Sequence, residues 1–334
     1  MHTLAPVWLE FAACMMLIAV AGTRLARHGD EVATHLGLSR SWVGLILLAT
    51  VTSLPELATG LGAVTVAGTP DIALGDALGS CVFNLALLAI VEALYRQAPL
   101  FVRANAAHRA AAWSGTALLL VVVASVIAGR LIPGLAIGPV AVGSLVLVAG
   151  YVIAMRRVHA ATLIPVEGPA SPQDRTAGRR AMRAYAVAAV VIVGGGIWLP
   201  LVGVRLAAAM GWTDSLVGTL LVALATSVPE MATTLAAMRM HALDMAVGNL
   251  LGSNLFDVLI IALDDVAFSA GPIFEGAAAA HAWTAAVAAL MSMLVAVGLK
   301  LRPHRRWFGL CSWVGVALLV MYVASAAIQI RLGN

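Results

Sequence analysis

Two glutamates in this 334-residue chain lie inside long apolar segments, and each directly follows a proline. They are Glu56 after Pro55 and Glu230 after Pro229. A carboxylate inside a membrane is costly unless it is paired or hydrated, so its presence in such a segment indicates a functional site. A proline within a helix also leaves the carbonyl four residues earlier without its usual donor, which a membrane tolerates only beside a cavity or ligand. The pattern predicts two oxygen-rich points within membrane helices.

Hydroxyl side chains accompany both glutamates at helical spacing. Residues four and seven positions apart share one face of a helix. An alanine, a serine and the glutamate have this spacing in both segments, and a threonine lies one turn before each glutamate. A plain proline kink would not require these neighbours. The residues are Ala49, Thr52, Ser53 and Glu56 in the first segment, and Ala223, Thr226, Ser227 and Glu230 in the second.

Two further apolar segments carry polar residues at intervals of four, so four oxygen-bearing stripes can converge on one point. Hard cations such as Ca²⁺ and Na⁺ bind carboxylate, hydroxyl and carbonyl oxygens, and Ca²⁺ takes about 6–8 of them. Apart from Cys81 these stripes offer no sulfur or imidazole ligand, which disfavours soft transition metals. The additional stripes are Asp76, Ser80 and Asn84, and Asn249, Ser253 and Asp257.

These residues belong to an internal repeat. Residues 44–84 and 218–257 align with one single-residue gap and share T-S-x-P-E-x-A-T, then D-x-A-x-G, then L-G-S and a phenylalanine. Leucine-rich helices resemble one another in general, but their composition does not produce Thr-Ser-x-Pro-Glu twice. Each copy also has a small-xxx-small pair, which predicts close helix packing. These pairs are Gly75 with Gly79 and Gly248 with Gly252.

Composition indicates a membrane protein. Hydrophobic residues make up 62% of the chain and charged residues 11%, whereas about a quarter of a soluble domain is charged. The net charge of +4 comes from short loops between apolar runs, so it reflects membrane orientation and does not predict nucleic-acid binding. The cysteines contain no CxxC pair and predict neither a disulfide framework nor a zinc site. They are Cys14, Cys81 and Cys311.

The chain is predicted to be an all-α integral membrane protein of ten helices, arranged as two inverted-topology repeats of five. A first repeat over 1–155 contains the 44–84 motif, a basic cytoplasmic linker covers 156–183, and a second repeat over 184–334 contains the 218–257 motif. An odd number of helices makes the second copy enter the membrane from the opposite side, and such repeats hold substrate near the midplane. The helices are predicted at 4–22, 42–66, 71–95, 110–128, 134–155, 184–203, 215–238, 244–263, 281–300 and 307–330.

Arginine and lysine residues predict the orientation. Nearly all of them lie in alternate loops that include the linker, and only Arg130, Arg205 and Arg331 fall on the other side. The positive-inside rule then places both termini on the outer, periplasmic side of the cell (inner) membrane. The acidic residues expected in outer loops are Asp264, Asp265 and Glu275.

With these motifs the chain resembles the cation/calcium exchanger superfamily, most closely its prokaryotic sodium/calcium exchangers. The resemblance rests on T-S-L-P-E with G-S-C-V-F-N in the first copy, and on T-S-V-P-E with G-S-N-L-F-D in the second. The family commonly has glycine where Val51 and Ala225 stand, and asparagine where Asp76 and Cys81 stand.

This resemblance implies a secondary active antiporter that exchanges Ca²⁺ for Na⁺ by alternating access, with no cofactor and no enzyme activity. It implies that Glu56 and Glu230 bridge the Ca²⁺ and Na⁺ sites, and that sliding of the first and sixth helices gates access. Asn84 and Asp257 would line the central site. The other implied ligands are the hydroxyls of Thr52, Ser53, Ser80, Thr226, Ser227 and Ser253, and the carbonyls of Ala49 and Ala223.

A proton-coupled or potassium-dependent divalent cation exchanger on the same scaffold is the main alternative, because Asp76 and Asp257 could titrate or bind a second cation. An intramembrane aspartyl protease would fit Gly75-Asp76, but the Tyr-Asp partner of that signature is missing from the sequence. A channel fits a closed midplane site poorly. The expected partners are membrane lipid and inorganic cations, with no nucleic acid. The sequence leaves the oligomeric state open, and a monomer is compatible with it.

Overall fold

The computed structural model describes residues 4–35, 49–95, 99–103, 106–161, 175–239, 242–307 and 309–333. These residues are helical almost throughout, because within a membrane each segment must satisfy its own backbone hydrogen bonds. The helices are α1 (Leu4–His35), α2 (Ala49–Thr52), α3 (Leu54–Gly62), α4 (Pro70–Leu94), α5 (Leu100–Arg103), α6 (Ala106–Leu131), α7 (Val142–Ala161), α8 (Arg175–Met210), α9 (Asp214–Leu216), α10 (Ala223–Thr226), α11 (Val228–Arg239), α12 (Leu243–Ala267), α13 (Ala279–Leu301) and α14 (Trp313–Gly333), with π-helical turns at Ala63–Ala67 and Val217–Val222. A short antiparallel hairpin, β1 (Ala136–Ile137) and β2 (Val140–Ala141), connects α6 with α7.

Eight helices in the described part of the chain are long and apolar enough to cross a membrane. A ninth span runs from Asp214 to Arg239, through a break at which it bends by 42°. The shorter apolar stretch Leu54–Ala67 belongs to the predicted helix at 42–66, whose beginning lies outside the described residues. A multi-pass helical membrane fold is confirmed, and the count of ten stays a prediction.

Several helices extend beyond their predicted ends. α1 continues to His35 instead of ending at 22, and α8 begins at Arg175 instead of 184. The prediction followed apolar runs, and the polar ends of these helices lie outside such runs. Basic residues assigned to the linker therefore lie on helix ends, while 162–174 is outside the described residues. The division into two repeats and a linker stays a prediction.

The prediction that Asp264 and Asp265 lie in an outer loop is wrong. Both belong to α12, which runs to Ala267, and both side chains are fully buried. Asp265 accepts hydrogen bonds from the backbone N–H groups of Ala141 (2.8 Å) and Ile273 (2.6 Å). It therefore fixes the hairpin and the loop after α12 to the end of that helix.

The two helices that contain Thr-Ser-x-Pro-Glu, called the motif helices below, both break at the serine of this motif. The first runs through α2 and α3, and the second through α10 and α11. Ser53 separates α2 from α3 with φ −87° and ψ 12°, and Ser227 separates α10 from α11 with φ −81° and ψ 4°. The proline two residues later cannot donate a backbone hydrogen bond to the preceding turn, which explains the break. The matching geometry shows that the sequence repeat is also a structural repeat.

Helices α4 and α12 form the centre of the fold, and most of the residues in each of them are buried. A Cβ atom at Gly75 of α4 would lie 2.9 Å from the backbone nitrogen of Thr219, and a Cβ at Gly79 would overlap the Thr219 carbonyl. Any larger residue at these positions would push the two backbones apart. The predicted packing role of Gly75 and Gly79 is therefore confirmed.

Two buried histidines connect the halves in the same way on both sides of this centre. His281 Nε2 lies 2.9 Å from Asp71 Oδ1, which also accepts the backbone N–H of Ala278 at 2.9 Å. His108 Nε2 lies 3.0 Å from Asp244 Oδ1. In each pair the histidine lies in the first turn of a helix of one half and the aspartate in the first turn of α4 or α12 of the other half. The pairs are thus repeat-related connections between the two halves.

Replacing His281 by alanine is expected to destabilise the fold by about 1–3 kcal/mol, because the Asp71 carboxylate loses a buried donor. The midpoint of thermal unfolding in detergent should fall. His304→Ala, at an exposed position between α13 and α14, should leave the midpoint unchanged. Equal midpoints for wild type and His281→Ala would show that the pair does not stabilise the fold.

Candidate cation site

The breaks in the two motif helices lie beside α4 and α12, so four segments with polar side chains meet inside the protein. All twelve residues expected to form the site are buried there. They are Ala49, Thr52, Ser53 and Glu56 on the first motif helix, Ser80 and Asn84 on α4, Ala223, Thr226, Ser227 and Glu230 on the second motif helix, and Ser253 and Asp257 on α12.

Each glutamate accepts a hydrogen bond from a serine of the opposite half. Ser53 Oγ donates to Glu230 Oε1 at 3.2 Å, and Ser227 Oγ lies 3.3 Å from Glu56 Oε1. Ser227 Oγ also lies 3.0 Å from Ser80 Oγ, and its single proton serves one of these acceptors at a time. Because the bonds cross between halves in both directions, the site exists only when the two halves pack together.

The threonines beside these serines also reach the opposite half. Thr226 Oγ1 donates to Asp76 Oδ1 at 2.9 Å, and Thr52 Oγ1 lies 3.3 Å from Asn249 Oδ1. Asp76 and Asn249 occupy equivalent positions in the repeat, so the two contacts are equivalent as well. Neither residue is among the predicted ligands, although both lie on the predicted polar stripes.

The carbonyls of Ala49 and Ala223 already accept hydrogen bonds. Each accepts the backbone N–H of the serine at the break, at 3.0 Å. Each also lies 3.2 Å from the hydroxyl of the threonine beside that serine. A carbonyl oxygen has two lone pairs, so a cation that bound either carbonyl would require the threonine hydroxyl to turn away.

Ser253, Asn84 and Asp257 lie near the point where α4 and α12 cross. Asp257 Oδ2 lies 3.9 Å from Cys81 Sγ, and Asn254 Nδ2 donates to the Cys81 carbonyl at 3.2 Å. The side-chain polar atoms of Ser253 and Asn84 have no hydrogen-bond partner among the described residues. The structure thus brings these two side chains into the same region without joining them directly to the glutamates.

Several carboxyl oxygens of the site share this lack of a partner in the described part of the chain. They are Oε2 of Glu56, Oε2 of Glu230 and Oδ1 of Asp257. Buried polar atoms are nearly always partnered in folded proteins. No three His, Cys, Asp or Glu side chains in the described ranges are arranged to hold a metal ion by themselves, so a cation here also needs hydroxyl and amide oxygens. Such a mixed oxygen set suits a hard cation.

Thr59 and Asp264 are polar groups close to the motif helices that sequence reasoning missed. Both are fully buried, and their side-chain oxygens have no hydrogen-bond partner among the described residues. The carboxyl of Asp264 lies directly against Gly60 of α3. The repeat alignment contains a signal for this contact, because it pairs Gly60 with Thr234 and, when continued without a further gap beyond residues 84 and 257, Asp264 with Val91.

Comparison with known proteins agrees with this architecture. The family described as "sodium/calcium exchanger protein" matches residues 6–158 and 183–331. An uncharacterized membrane protein of Methanocaldococcus jannaschii is 26% identical over 312 residues, which cover 91% of each chain. A protein of Alkalimonas amylolytica that carries the description of an antiporter, CaxA, is 26% identical over 316 residues, or 92% of this chain and 96% of that protein.

Solved structures of the sodium-calcium exchanger NCX_Mj share the fold. A structure soaked with zero Na⁺ and Ca²⁺ superposes with a TM-score of 0.61 at 22% identity, covering 96% of this chain and 98% of that chain. A second, soaked with 2.5 mM Na⁺ and 10 mM Sr²⁺, gives 0.60 at 21% identity, covering 97% and 99%. Because the family match spans both halves and most of the length, the chain belongs to the sodium/calcium exchanger protein family, a family of membrane cation antiporters.

Proposed function

We propose that this protein exchanges Ca²⁺ for Na⁺ by alternating access, and that both ions bind near the midplane between its halves. The pair Glu56 and Glu230 carries the proposal. Each is buried, accepts one hydrogen bond from a serine of the opposite half, and keeps one carboxyl oxygen without a partner among the described residues. Two negative charges balance one divalent cation or two monovalent cations, so the pair can hold either ion in turn.

The groups around the glutamates support a hard cation as the substrate. They supply hydroxyl, amide and carboxyl oxygens within one buried region, which is the chemistry that Ca²⁺ prefers. The proposed ligands besides the glutamates are Thr52, Ser53, Ser80, Asn84, Thr226, Ser227, Ser253 and Asp257, with the carbonyls of Ala49 and Ala223. The substrate ions need no cofactor.

Helices α1 and α8 are the elements we expect to move. They pack along each other, and Glu10 of α1 accepts hydrogen bonds from Trp198 (2.9 Å) and Arg205 (2.5 Å) of α8. These bonds allow the two helices to move as one unit.

The surfaces beneath this pair support a sliding motion. A Cβ at Gly196 of α8 would lie 2.5 Å from the Ala58 Cβ of α3, and a Cβ at Gly22 of α1 would overlap the Pro229 ring of α11. Glycine at these points leaves the helix surface flat, without side chains that interlock with the motif helices. A flat contact can slide with little steric resistance.

A coupled proton or potassium ion is the second candidate. Asp76 and Asp257 raise the number of buried carboxyl groups near the site to four, whereas one divalent cation is balanced by two. A further cation would offset the remaining charge. For the orientation we propose both termini on the outer side, because nearly all Lys and Arg residues lie in alternate connections or on the helix ends beside them.

Replacing Glu56 or Glu230 by glutamine should abolish ⁴⁵Ca²⁺ uptake into proteoliposomes driven by an outward Na⁺ gradient, because the site loses half of the charge that balances Ca²⁺. Glu275→Gln, at a loop position after α12, is the matched control and should keep wild-type uptake. Gel filtration should show that all variants remain folded. Normal uptake by either site variant would refute the assignment. Uptake driven only by a proton or potassium gradient would select the second candidate.

Cross-linking α8 to α3 should stop exchange if α8 slides. Cysteines replacing Gly196 and Ala58 place one thiol on each helix, in a chain whose native cysteines are replaced by alanine. A Cβ at Gly196 lies only 2.5 Å from the Ala58 Cβ, against about 3.5–4.5 Å in a disulfide, so the helices must separate slightly and the reduced variant must itself show uptake. Oxidation should reduce uptake to background relative to the same variant when reduced. A cross-link within the moving pair, between cysteines replacing Ile18 of α1 and Gly195 of α8, should be tolerated. Undiminished uptake by the oxidised α8–α3 variant would rule out the motion.

Asp257→Asn should keep substantial transport, because asparagine then occupies both positions of the Asn84–Asp257 pair and two glutamates still balance a divalent ion. The Ca²⁺ concentration for half-maximal uptake should rise by less than about tenfold, or about 1.4 kcal/mol. Glu230→Gln serves as the comparison and should show no uptake. Equal loss of uptake in both variants would identify Asp257 as an obligatory anionic ligand.

A further inference from the structure

The two halves differ beside the central site. In the second half, Asn249 Nδ2 lies 3.2 Å from Thr233 Oγ1 and 3.2 Å from Thr234 Oγ1, while its Oδ1 faces Thr52. Thr233 in turn donates to the Pro229 carbonyl at 2.8 Å. All of these groups are neutral and hydrogen-bonded. In the second half the polar side chains beside the site therefore have hydrogen-bond partners.

The repeat counterparts in the first half cannot form that network. Asp76 replaces Asn249, Thr59 matches Thr233, and Gly60 replaces Thr234. Asp76 uses Oδ1 for Thr226, but its Oδ2 and the fully buried Thr59 hydroxyl have no partner in the described part of the chain. The amide donor of Asn249 is therefore replaced by a carboxyl oxygen of Asp76. The hydroxyl of Thr234 has no replacement on α3, because Gly60 has no side chain.

Asp264 of α12 fills the space left at Gly60. A Cβ at Gly60 would overlap both carboxyl oxygens of Asp264, so only glycine on α3 admits the carboxyl. Asp264 is fully buried, and neither oxygen has a hydrogen-bond partner among the described residues. Because Val91 is the counterpart of Asp264, the carboxyl is an addition to one half only.

Two buried carboxyls without a counter-charge are energetically unfavourable. No ion pair joins Asp76 or Asp264 to a Lys, Arg or His of the described ranges. An unpaired buried carboxylate costs several kcal/mol. Asn249 contacts both Thr233 and Thr234, so the repeat relation brings Asp76 towards Thr59 and the Gly60 position that Asp264 fills. Carboxyl and hydroxyl oxygens, with no thiol or imidazole in the set, are ligands for a hard cation.

We propose that Asp76, Thr59 and Asp264 form an accessory site for a hard, oxygen-ligated cation, either Ca²⁺ or Na⁺, beside α3 only, with no counterpart beside α11. This inference rests on the proposed function for its substrate class. Gly60 lies one turn beyond Glu56 on α3, and Asp264 lies two turns beyond Asp257 on α12. The accessory site therefore lies on the route from the central site towards the ends of these helices at Gly62 and Ala267.

Equilibrium binding to the purified chain in detergent tests the site, with ⁴⁵Ca²⁺ in one arm and ²²Na⁺ in the other. If the site binds Ca²⁺, Asp264→Asn should bind one ⁴⁵Ca²⁺ fewer per chain than wild type. If it binds Na⁺, the variant should bind one ²²Na⁺ fewer. A second variant copies the second half with Asp76→Asn, Gly60→Thr and Asp264→Val. This variant should show the same loss, and it tests the site independently if Asp264→Asn fails to fold.

Glu230→Gln separates this inference from the proposed function. It should lose the cation of the central site and keep the accessory one, and adding Asp264→Asn should remove that one too. Wild-type binding by Glu230→Gln would overturn the central site alone. If Asp264→Asn and the triple variant, both folded by gel filtration, bind as many cations as wild type in both arms, the accessory site is refuted.

Discussion

Charge burial is the constraint on which the rest of this fold depends. A carboxylate inside a membrane persists only where the protein surrounds it with donors or cations. Here the donors come from the opposite half, since Ser53 bonds to Glu230 and Ser227 bonds to Glu56. Neither half can satisfy its own glutamate through these bonds, so the packing of the two repeats and the formation of the site are one event.

The irregular backbone follows from the same constraint. Breaks at Ser53 and Ser227 would be unfavourable in contact with lipid, because they interrupt the helical hydrogen bonds. They are enclosed here by α4 and α12, and Gly75 and Gly79 of α4 allow backbone contact with the segment before the second break. The paired helices α1 and α8 contact the motif helices at Gly22 and Gly196. In the proposed exchange, α4 and α12 would hold the site while α1 and α8 move.

The sequence predicted which polar residues lie together in the interior, because the signal for them is local. Each Pro-Glu pair and its hydroxyl neighbours lie within two helical turns, and repetition removed the ambiguity. Asp264 was predicted wrongly because a carboxyl near the end of an apolar run is usual for a loop. Only the contact with Gly60, on a distant segment, shows why it is buried. The His–Asp pairs were missed for a similar reason, since each joins residues that are far apart in the chain.

The departures from symmetry can favour one of the two access states of the proposed exchange over the other. If the two halves were identical, the two access states of the proposed exchange would be related by a two-fold rotation and would have equal free energies. In this chain the first half carries Asp76 and Asn84, and the second carries Asn249 and Asp257 at the same positions, with Asp264 as a further addition. A population difference between two states needs only a few kcal/mol of differential interaction. A single unmatched buried carboxyl is large enough to supply it, so the choice between the two states can be set by these few positions while the shared motif keeps the ion-binding chemistry in both.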